Sequence, residues 1–376
     1  EALGGKTLLE DALDFSDRAL FVITRRGSED EDMNYADFQL RPNEEDAIKM
    51  LEENFSQVII LFNVPTVFEA EFIEDSQIDA AIFMGHPGLS GTTAIARILS
   101  GTVNPSGHLV DTWPYDVKSA PSYQNFGNDT TLTHTGASSG KFTEYLEGIY
   151  VGYRYYSTRG MVDADKGYDY DSEVQFSFGY GLSYTEFDKS IIEYEVDKKK
   201  ETIHVVVAVT NKGSVPGKDV LELYAHAPYH PESGVEKAWY SLCGFQKTSD
   251  IEPGETKNYE FNLSFRDLAS YSTAKECYTL EKGDYEISLR EDVWHIANTE
   301  NTQGNNLRLF ALDEDIDYPT SYQTGVAYQN LFEDVEFGAG ENPIEYLSRS
   351  DFEGTFTKTE EIDRTAIASR FPGGTA

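Results

Sequence analysis

The hydrophobic pattern of the first hundred residues alternates between short apolar runs and stretches with helical periodicity. Residues 19–24, 58–62 and 79–84 form apolar runs, with polar residues only at two ends, Thr24 and Asp79, and such runs are typical of strands buried on both faces. Strands of this kind that are separated by helices predict an α/β three-layer sandwich with a mainly parallel sheet. The predicted helices are residues 43–55, with Asn43 as the N-cap, 68–74 and 92–99.

From residue 187 the periodicity changes to the alternation of a β protein. Short alternating runs at 204–210, 219–225, 259–263, 278–280 and 285–289 are separated by turn residues, which predicts an all-β sandwich. We therefore divide the chain into an α/β domain (1–116), a long linker rich in Gly and Tyr that wraps another part of the protein (117–186), a β-sandwich (187–296) and an extended tail (297–376).

Charge and composition narrow the possible partners. Asp and Glu number 66 against 30 Lys and Arg, which gives a formal net charge of −36. Nucleic acid and anionic membranes are therefore excluded as partners, because they would be repelled. No apolar run reaches the length of a membrane span and no signal-peptide pattern is visible, so the compartment stays open. Cys243 and Cys277 could form one disulfide, which the sequence does not decide, and we favour free thiols. No spacing suggests a metal or another cofactor.

Three long segments resemble one enzyme family. The segments are NPSGHL at 104–109, EGIYVGYRYY at 147–156 and FSFGYGLSYTEF at 176–187. They are similar, in the same order, to segments of glycoside hydrolase family 3, the β-glucosidase type. The resemblance implies that a fibronectin-III/immunoglobulin-like sandwich follows the α/β domain. It also implies that an aspartate on a TIM-barrel domain acts as nucleophile, and no part of this sequence has the pattern of such a barrel.

A segment of the tail also bears on the order of the domains. Its segment YLSRSDFEGT at 346–355 resembles a subgroup in which the barrel follows the sandwich. The chain would then end just before its barrel.

The predicted catalytic loop is RRGSEDED at 25–32, directly after the first apolar run. The family resemblance places Glu29 on the general acid/base, while Ser28 and Asp30 replace glycines of the family pattern. A retaining glycosidase needs two carboxyl groups roughly 5–5.5 Å apart, and the acid needs a raised pKa. Neighbouring anions would raise that pKa. Glu31 remains an alternative, and so does a solvated acidic loop without catalytic function.

Two further groups are candidates for sugar contact. His86 follows the third predicted strand, where ligands bind in parallel sheets, so it either lines a sugar subsite or is an ordinary turn histidine. The aromatic cluster of Tyr150, Tyr153, Tyr155 and Tyr156 either stacks on sugars or packs the linker. We favour packing.

The sequence thus predicts part of a retaining, exo-acting β-glucosidase-type hydrolase. Its substrate would be a β-linked glucoside or related oligosaccharide, and its partner a barrel domain or chain that carries the nucleophile. We expect the chain alone to be inactive, and we expect exposed apolar side chains at 85–91 and 140–156 where the barrel packs. The alternative is a non-catalytic carbohydrate-binding or scaffold protein that retains the fold.

Overall fold

The structure of the chain is a computed structural model that describes residues 6–27, 33–75, 77–125, 146–297, 306–329 and 346–352. The chain divides into two compact units. Unit 1 holds residues 1–103 and 113–117, and unit 2 holds residues 104–112 and 118–376. The segment 104–112, which we assigned to the α/β domain from the sequence, therefore groups with unit 2.

Unit 1 is built on a parallel sheet, as the apolar runs predict. The sheet has the order β1-β2-β3, and in its register Ile23 lies opposite Phe62 and Leu61 opposite Ile82. The strands are β1 (Arg18–Thr24), β2 (Gln57–Asn63) and β3 (Ala80–Phe83), with a short β4 (Trp113–Pro114). The helices are α1 (Leu8–Phe15), α2 (Pro42–Asn54) and α3 (Gly88–Leu99), with 3₁₀ turns at Tyr35–Phe38, Glu71–Glu74 and Val117–Ser119.

Two helix predictions need correction. Helix α2 begins at Pro42, and the Glu44 carboxylate accepts a hydrogen bond from the Arg41 backbone N–H at 2.9 Å, so Asn43 lies within the first turn and is not the N-cap. The predicted helix at 68–74 is reduced to the 3₁₀ turn Glu71–Glu74, because it has room for a single turn before the loop that leads to β3.

The burial of the sheet also differs from the prediction. Strand β2 is central, and its Val58 and Ile60 are fully buried. On β1 the side chains of Leu20 and Val22 are about half exposed, and Phe83 of β3 is 38% exposed. The expectation that all three strands are buried on both faces is therefore wrong for β1 and β3, although the parallel sheet is confirmed.

Unit 2 is dominated by antiparallel sheets. Their strand orders are β10-β7-β6, β14-β13-β8-β9 and β11-β12-β15. The strands are β6 (Phe187–Asp197), β7 (Thr202–Asn211), β8 (Val220–His226), β9 (Ser241–Lys247), β10 (Thr256–Ser264), β11 (Ser270–Ser272), β12 (Cys277–Leu280), β13 (Gly283–Arg290), β14 (Leu307–Leu312) and β15 (Ile316–Tyr318), with 3₁₀ turns at Pro231–Ser233 and Phe265–Leu268. The all-β sandwich predicted from period-two alternation is confirmed.

The sandwich extends beyond residue 296. Phe310 and Leu312 of β14 and Tyr318 of β15 are buried in the same core as the fully buried Val207 and Ile287. Strand β14 pairs with β13, and β15 pairs with β12. The prediction of an extended tail from residue 297 is therefore corrected, since these strands complete two of the sheets.

The described part of the linker is packed within unit 2. It contains α4 (Pro121–Asn125), α5 (Tyr153–Val162), α6 (Tyr170–Glu173), β5 (Val174–Phe176) and a 3₁₀ turn at Ala164–Lys166. Tyr150, Tyr155 and Tyr156 are buried in one cluster, and the ring of Phe352 lies 5.4 Å from Tyr150 and 5.8 Å from Tyr155. The interpretation of these three tyrosines as packing residues is confirmed, because their rings are not accessible to a sugar. Tyr153, the fourth member of the predicted cluster, is partly buried, and its ring lies 4.6 Å from Phe178.

A buried network of charges joins the segment at 104–109 to the sandwich. His108 Nε2 lies 3.2 Å from a carboxylate oxygen of Asp219, and Lys189 Nζ lies 2.9 Å from the other oxygen. The Nδ1 atom of His108 contacts the Gly179 carbonyl. Nearby, the Tyr224 hydroxyl donates to Glu222 at 2.6 Å. The motif histidine is thus held by the sandwich through a carboxylate that it shares with a buried lysine.

Both cysteines are free thiols, as predicted. Burial raises the pKa of Cys243 to about 12, and its thiol donates to the Leu223 carbonyl at 3.2 Å. Among the described residues, no helix combines the length and the apolar character needed to cross a membrane.

Candidate active site

The candidate site lies where the strands of unit 1 end. The backbone N–H of Arg25, directly after β1, donates to the Asn63 carbonyl at the end of β2 at 3.1 Å. The N–H of Met84, after β3, donates to the Phe62 carbonyl at 3.0 Å. Since the carboxyl ends of parallel strands share one edge of a sheet, the loops after β1, β2 and β3 begin side by side.

Gly27 allows two of these loops to come close together. A Cβ atom at Gly27 would lie 2.8 Å from Cγ of Pro65, in the loop after β2, and 4.0 Å from Cε1 of His86. The imidazole Nε2 of His86 lies 3.1 Å from the Arg25 carbonyl. Gly27 belongs to the glycine pattern of the predicted catalytic loop, and at this position it leaves room for the proline ring. The start of that loop is therefore packed between the loops after β2 and β3.

Arg25 fixes the start of the loop from inside. Its side chain is 1% exposed, and its guanidinium lies over the Phe68 ring at 5.2 Å. Two nitrogens of the guanidinium donate to the Glu44 carboxylate at 2.8 and 2.7 Å. Burial would raise the pKa of the Glu44 carboxyl, but the hydrogen bonds and charges of Arg25 and Arg41 together outweigh burial and hold that pKa below its usual value.

The same side chain also reaches the returning end of the loop. Nε of Arg25 donates to the Asp37 carbonyl at 3.0 Å, and Nη2 donates to the Gln39 carbonyl at 2.5 Å. The Gln39 amide in turn donates to Glu69 at 2.6 Å. One buried arginine thus joins residues on both sides of the segment 26–36, so both ends of the loop are held in place.

The predicted catalytic residues cannot be placed in the structure. Glu29, its alternative Glu31, and the substituted positions Ser28 and Asp30 all lie in residues 28–32, outside the described residues. His86 is described, and it lies at the predicted position, after β3. Its contact with a sugar stays a prediction.

Sequence reasoning missed Arg25 and Glu44 as structural partners of this loop. An arginine after an apolar strand and a glutamate in the first turn of a helix are each ordinary surface patterns. A buried arginine does require an anionic partner. The partner, however, is 19 residues away and is identified only by the fold.

Comparison with known proteins identifies two domains in the chain. Residues 7–153 match the glycosyl hydrolase family 3 C-terminal domain, and residues 219–293 match the fibronectin type III-like domain. The chain carries the C-terminal domain of glycosyl hydrolase family 3. The β-sandwich that follows this family 3 domain is fibronectin type III-like, in the order that the three motifs indicate.

Similar proteins include bacterial β-glucosidases. The chain is 32% identical over 295 residues to a β-glucosidase of Ruminococcus albus, and 33% identical over 328 residues to β-glucosidase A of Butyrivibrio fibrisolvens; each match covers 76% of this chain. It also resembles the structure of β-glucosidase 3B from Thermotoga neapolitana in complex with α-D-glucose, with a TM-score of 0.69 and 29% identity over 82% of this chain. The matched regions are 28%, 37% and 39% of the relatives' own lengths, so the chain spans well under half of each.

Proposed function

We propose that this chain is part of a retaining, exo-acting β-glucosidase in which Glu29 is the general acid/base. The observation that carries the proposal is the fixed start of the catalytic loop. Arg25 and Gly27 are held at the carboxyl edge of the parallel sheet, beside Pro65 and His86. Glu29 is two residues beyond Gly27, so its backbone starts from a rigid point.

The proposed chemistry requires two carboxyl groups. An aspartate on a barrel domain attacks the anomeric carbon, while Glu29 protonates the leaving oxygen of the β-glucoside. In the second step Glu29 accepts a proton from the water that hydrolyses the glycosyl-enzyme. Three carboxylates at positions 30, 31 and 32 would raise the pKa of Glu29, which keeps it protonated for the first step. His86 would lie beside the substrate as a hydrogen-bonding group.

The barrel would cover apolar side chains that are exposed here. In unit 1, Leu89 is fully exposed at the start of α3, and Leu20 and Val22 are about half exposed on β1. In unit 2, Ile149 and Val151 are also about half exposed. A catalytic site that is shared between domains needs extensive contact to keep its geometry, and exposed apolar surface of this kind favours a protein partner.

A panel of aryl glycosides tests the proposal. The chain alone should be inactive, whereas a longer polypeptide or a mixture that includes a family 3 barrel should cleave aryl β-glucosides. Robust hydrolysis by the chain alone would contradict the shared site. If the barrel-containing protein binds glucosides but cleaves no member of the panel, the chain is instead part of a non-catalytic carbohydrate-binding protein. The replacement of two loop glycines by Ser28 and Asp30 would then account for the loss of activity.

A further inference from the structure

Three tyrosine rings form a cluster on the sheet β11-β12-β15, which belongs to the sandwich. Tyr271 of β11 lies directly opposite Tyr278 of β12 in the antiparallel register, and their ring centroids are 5.4 Å apart. The ring of Tyr328 lies 5.3 Å from Tyr278 and 6.5 Å from Tyr271. All three pairs meet edge to face, at interplanar angles of 63–85°, so the cluster is a contiguous aromatic surface.

The cluster is on the outside of the molecule. Tyr271 is 39% exposed and Tyr278 is 38% exposed. In contrast, Tyr150, Tyr155 and Tyr285 are packed completely into their cores. Tyr328, the third member of the cluster, is partly buried. Aromatic side chains that stay accessible side by side, each with a hydroxyl at its edge, are typical of binding surfaces for partly apolar ligands that also form hydrogen bonds.

The charges around the cluster favour a neutral ligand. Lys275, between β11 and β12, donates to Asp315 and Asp317 at 2.9 Å each, so its charge is compensated. The Arg266 guanidinium stacks over the rings of Tyr318, at 4.8 Å, and Tyr322, at 5.8 Å. The whole chain has a net charge of −36, which would repel a polyanion.

We propose that the cluster of Tyr271, Tyr278 and Tyr328 is an accessory binding surface for a neutral β-glucan chain. The C–H face of a pyranose ring packs on aromatic rings, and the tyrosine hydroxyls are suited to exchange hydrogen bonds with sugar hydroxyls. The choice of a β-glucan rests on the proposed function, because a β-glucosidase benefits from staying close to its polymer. The surface lies on the sandwich and uses none of the residues proposed for hydrolysis.

The test is affinity electrophoresis of the full chain in gels that contain a soluble mixed-linkage β-glucan, with polygalacturonate as the anionic control polymer. The unaltered chain should be retarded by the glucan and not by polygalacturonate. Tyr271→Ala and Tyr278→Ala should each weaken binding by roughly tenfold, the size expected for one aromatic contact. Tyr184→Ala, which removes a half-exposed tyrosine elsewhere in unit 2, should bind normally.

A second measurement on the unaltered chain guards against variants that fail to fold. Nitration by tetranitromethane should modify the exposed tyrosines, and the glucan should protect Tyr271 and Tyr278 but not Tyr184. The proposal is overturned if the glucan causes no retardation, or if it leaves the nitration of Tyr271 and Tyr278 unchanged. It is also overturned if these tyrosines are already protected without glucan, in a dimer or in a barrel-containing polypeptide. Because no hydrolysis is measured, failure here leaves the proposed glucosidase activity unaffected, and a failure of that activity leaves glucan binding measurable.

Discussion

The guanidinium of Arg25 and the carboxylate of Glu44 form a two-point ion pair, with Nη1–Oε1 at 2.8 Å and Nη2–Oε2 at 2.7 Å. Arg25 is buried at the end of β1, and Glu44 lies in the first turn of α2. The pair therefore connects the sheet of unit 1 to a helix, and the further bonds of Arg25 to Asp37 and Gln39 close the loop between them. The guanidinium of an arginine has five N–H donors in one plane and can make all of these bonds at once. The single ammonium group of a lysine cannot reach the same set of acceptors.

Replacement of Arg25 should destabilise unit 1. Arg25→Ala leaves Glu44 without the guanidinium that pairs with it and leaves three backbone carbonyls, those of Thr24, Asp37 and Gln39, without their donor. We therefore expect a loss of about 3–5 kcal/mol in the free energy of unfolding. Arg25→Lys should recover only part of this loss. Hydrogen exchange of the β1 and β2 amides measures the effect in unit 1 alone. Arg41→Ala is the control, because its pair with Asp37 is exposed and should contribute less than about 1 kcal/mol.

The contrast between β2 and β14 shows which parts of the fold could be predicted from the sequence. The run Val-Ile-Ile-Leu-Phe at 58–62 is apolar throughout, so it predicts a strand without any tertiary information. In β14 only Phe310 and Leu312 are buried, and Leu309, just before them, is 66% exposed. Two buried side chains beside an acidic stretch form too short a pattern to predict a strand from the sequence. Strand β14 is therefore recognised only by its pairing with β13.

In the candidate site, too, some features could be predicted from the sequence and others could not. The position of the loop after β1 follows from the order of strands and helices, and so does the position of His86 after β3. The buried state of Arg25 does not follow, because burial of a charge depends on partners that are brought together by the tertiary fold. Local pattern therefore predicts where the loop begins, and long-range contacts determine how rigidly it is held.

The stability of unit 2 should depend on pH through His108 and Asp219. Burial would raise the pKa of Asp219, but attraction to Lys189 and hydrogen bonds from His108 and Lys189 outweigh it and lower that pKa to about 2. Burial would lower the pKa of His108, but its hydrogen bond and charge interaction with Asp219, assisted by Glu222, outweigh burial and raise that pKa.

Asp219 and His108 contribute to the stability of unit 2 over different pH ranges. The contribution of Asp219 is present above pH ~4 and is lost as the pH falls toward 2, whereas that of His108 is present below pH ~6.5 and is lost as the pH rises through its raised folded pKa. His108→Gln should therefore reduce the free energy of unfolding more at pH 5.5 than at pH 8.5. His204→Gln is the matched control, because it makes the same substitution at a ring that contacts the Asn262 amide oxygen at 3.1 Å and no carboxylate of the described residues. An equal loss for His108→Gln at pH 5.5 and 8.5 would refute the assignment.

Replacement by alanine should destabilise the protein more at Gly179 than at Gly234, although both glycines have a positive φ. At Gly179 (φ +91°) a Cβ atom would lie 2.3 Å from Oε2 of Glu222, and that oxygen is held by the Tyr224 hydroxyl. At Gly234 (φ +67°) an added Cβ would meet no described atom within 4 Å. Both alanine variants carry the backbone strain of about 1–2 kcal/mol, and Gly179→Ala should lose a further 1–3 kcal/mol or so through overpacking. Denaturant unfolding of both variants compares them directly, and similar losses would disprove the contact with Glu222.

The segment at 346–352 should pack less stably against the rest of unit 2 when a substitution removes the charge of Glu236. Glu236 accepts hydrogen bonds from the Ser348 hydroxyl at 2.7 Å and from the Arg349 backbone N–H at 3.2 Å, and the Tyr150 hydroxyl also donates to it. Glu236→Gln keeps the shape but weakens these bonds. We expect the exchange protection of the Leu347 amide, which donates to Leu146, to fall by about tenfold. Glu232→Gln, at an exposed carboxylate, should leave that protection unchanged.

The proposed role of Glu29 predicts a dependence on the leaving group. In a barrel-containing form of the protein, Glu29→Ala should slow an unactivated glucoside by about 10²–10⁴-fold, because its leaving oxygen needs a proton. An aryl glucoside with an acidic phenol should lose much less in the glycosylation step, because that phenol leaves without protonation. Added azide should partly restore turnover of the activated substrate, since a small anion attacks the glycosyl-enzyme without base assistance.

Glu31→Ala is the matched control for this prediction, because it removes the same group two residues away in the same acidic loop. Turnover of both substrates by Glu31→Ala should stay near that of the unaltered protein. Near-normal turnover of the unactivated glucoside by Glu29→Ala would show that Glu29 is not the acid. If the leaving-group dependence and the azide rescue appear in Glu31→Ala instead, the loop is catalytic and the acid lies two residues further along. Serine at 28 and aspartate at 30, where the family pattern has glycines, are the reason to compare the two positions, because the alignment of the acid with Glu29 depends on that pattern.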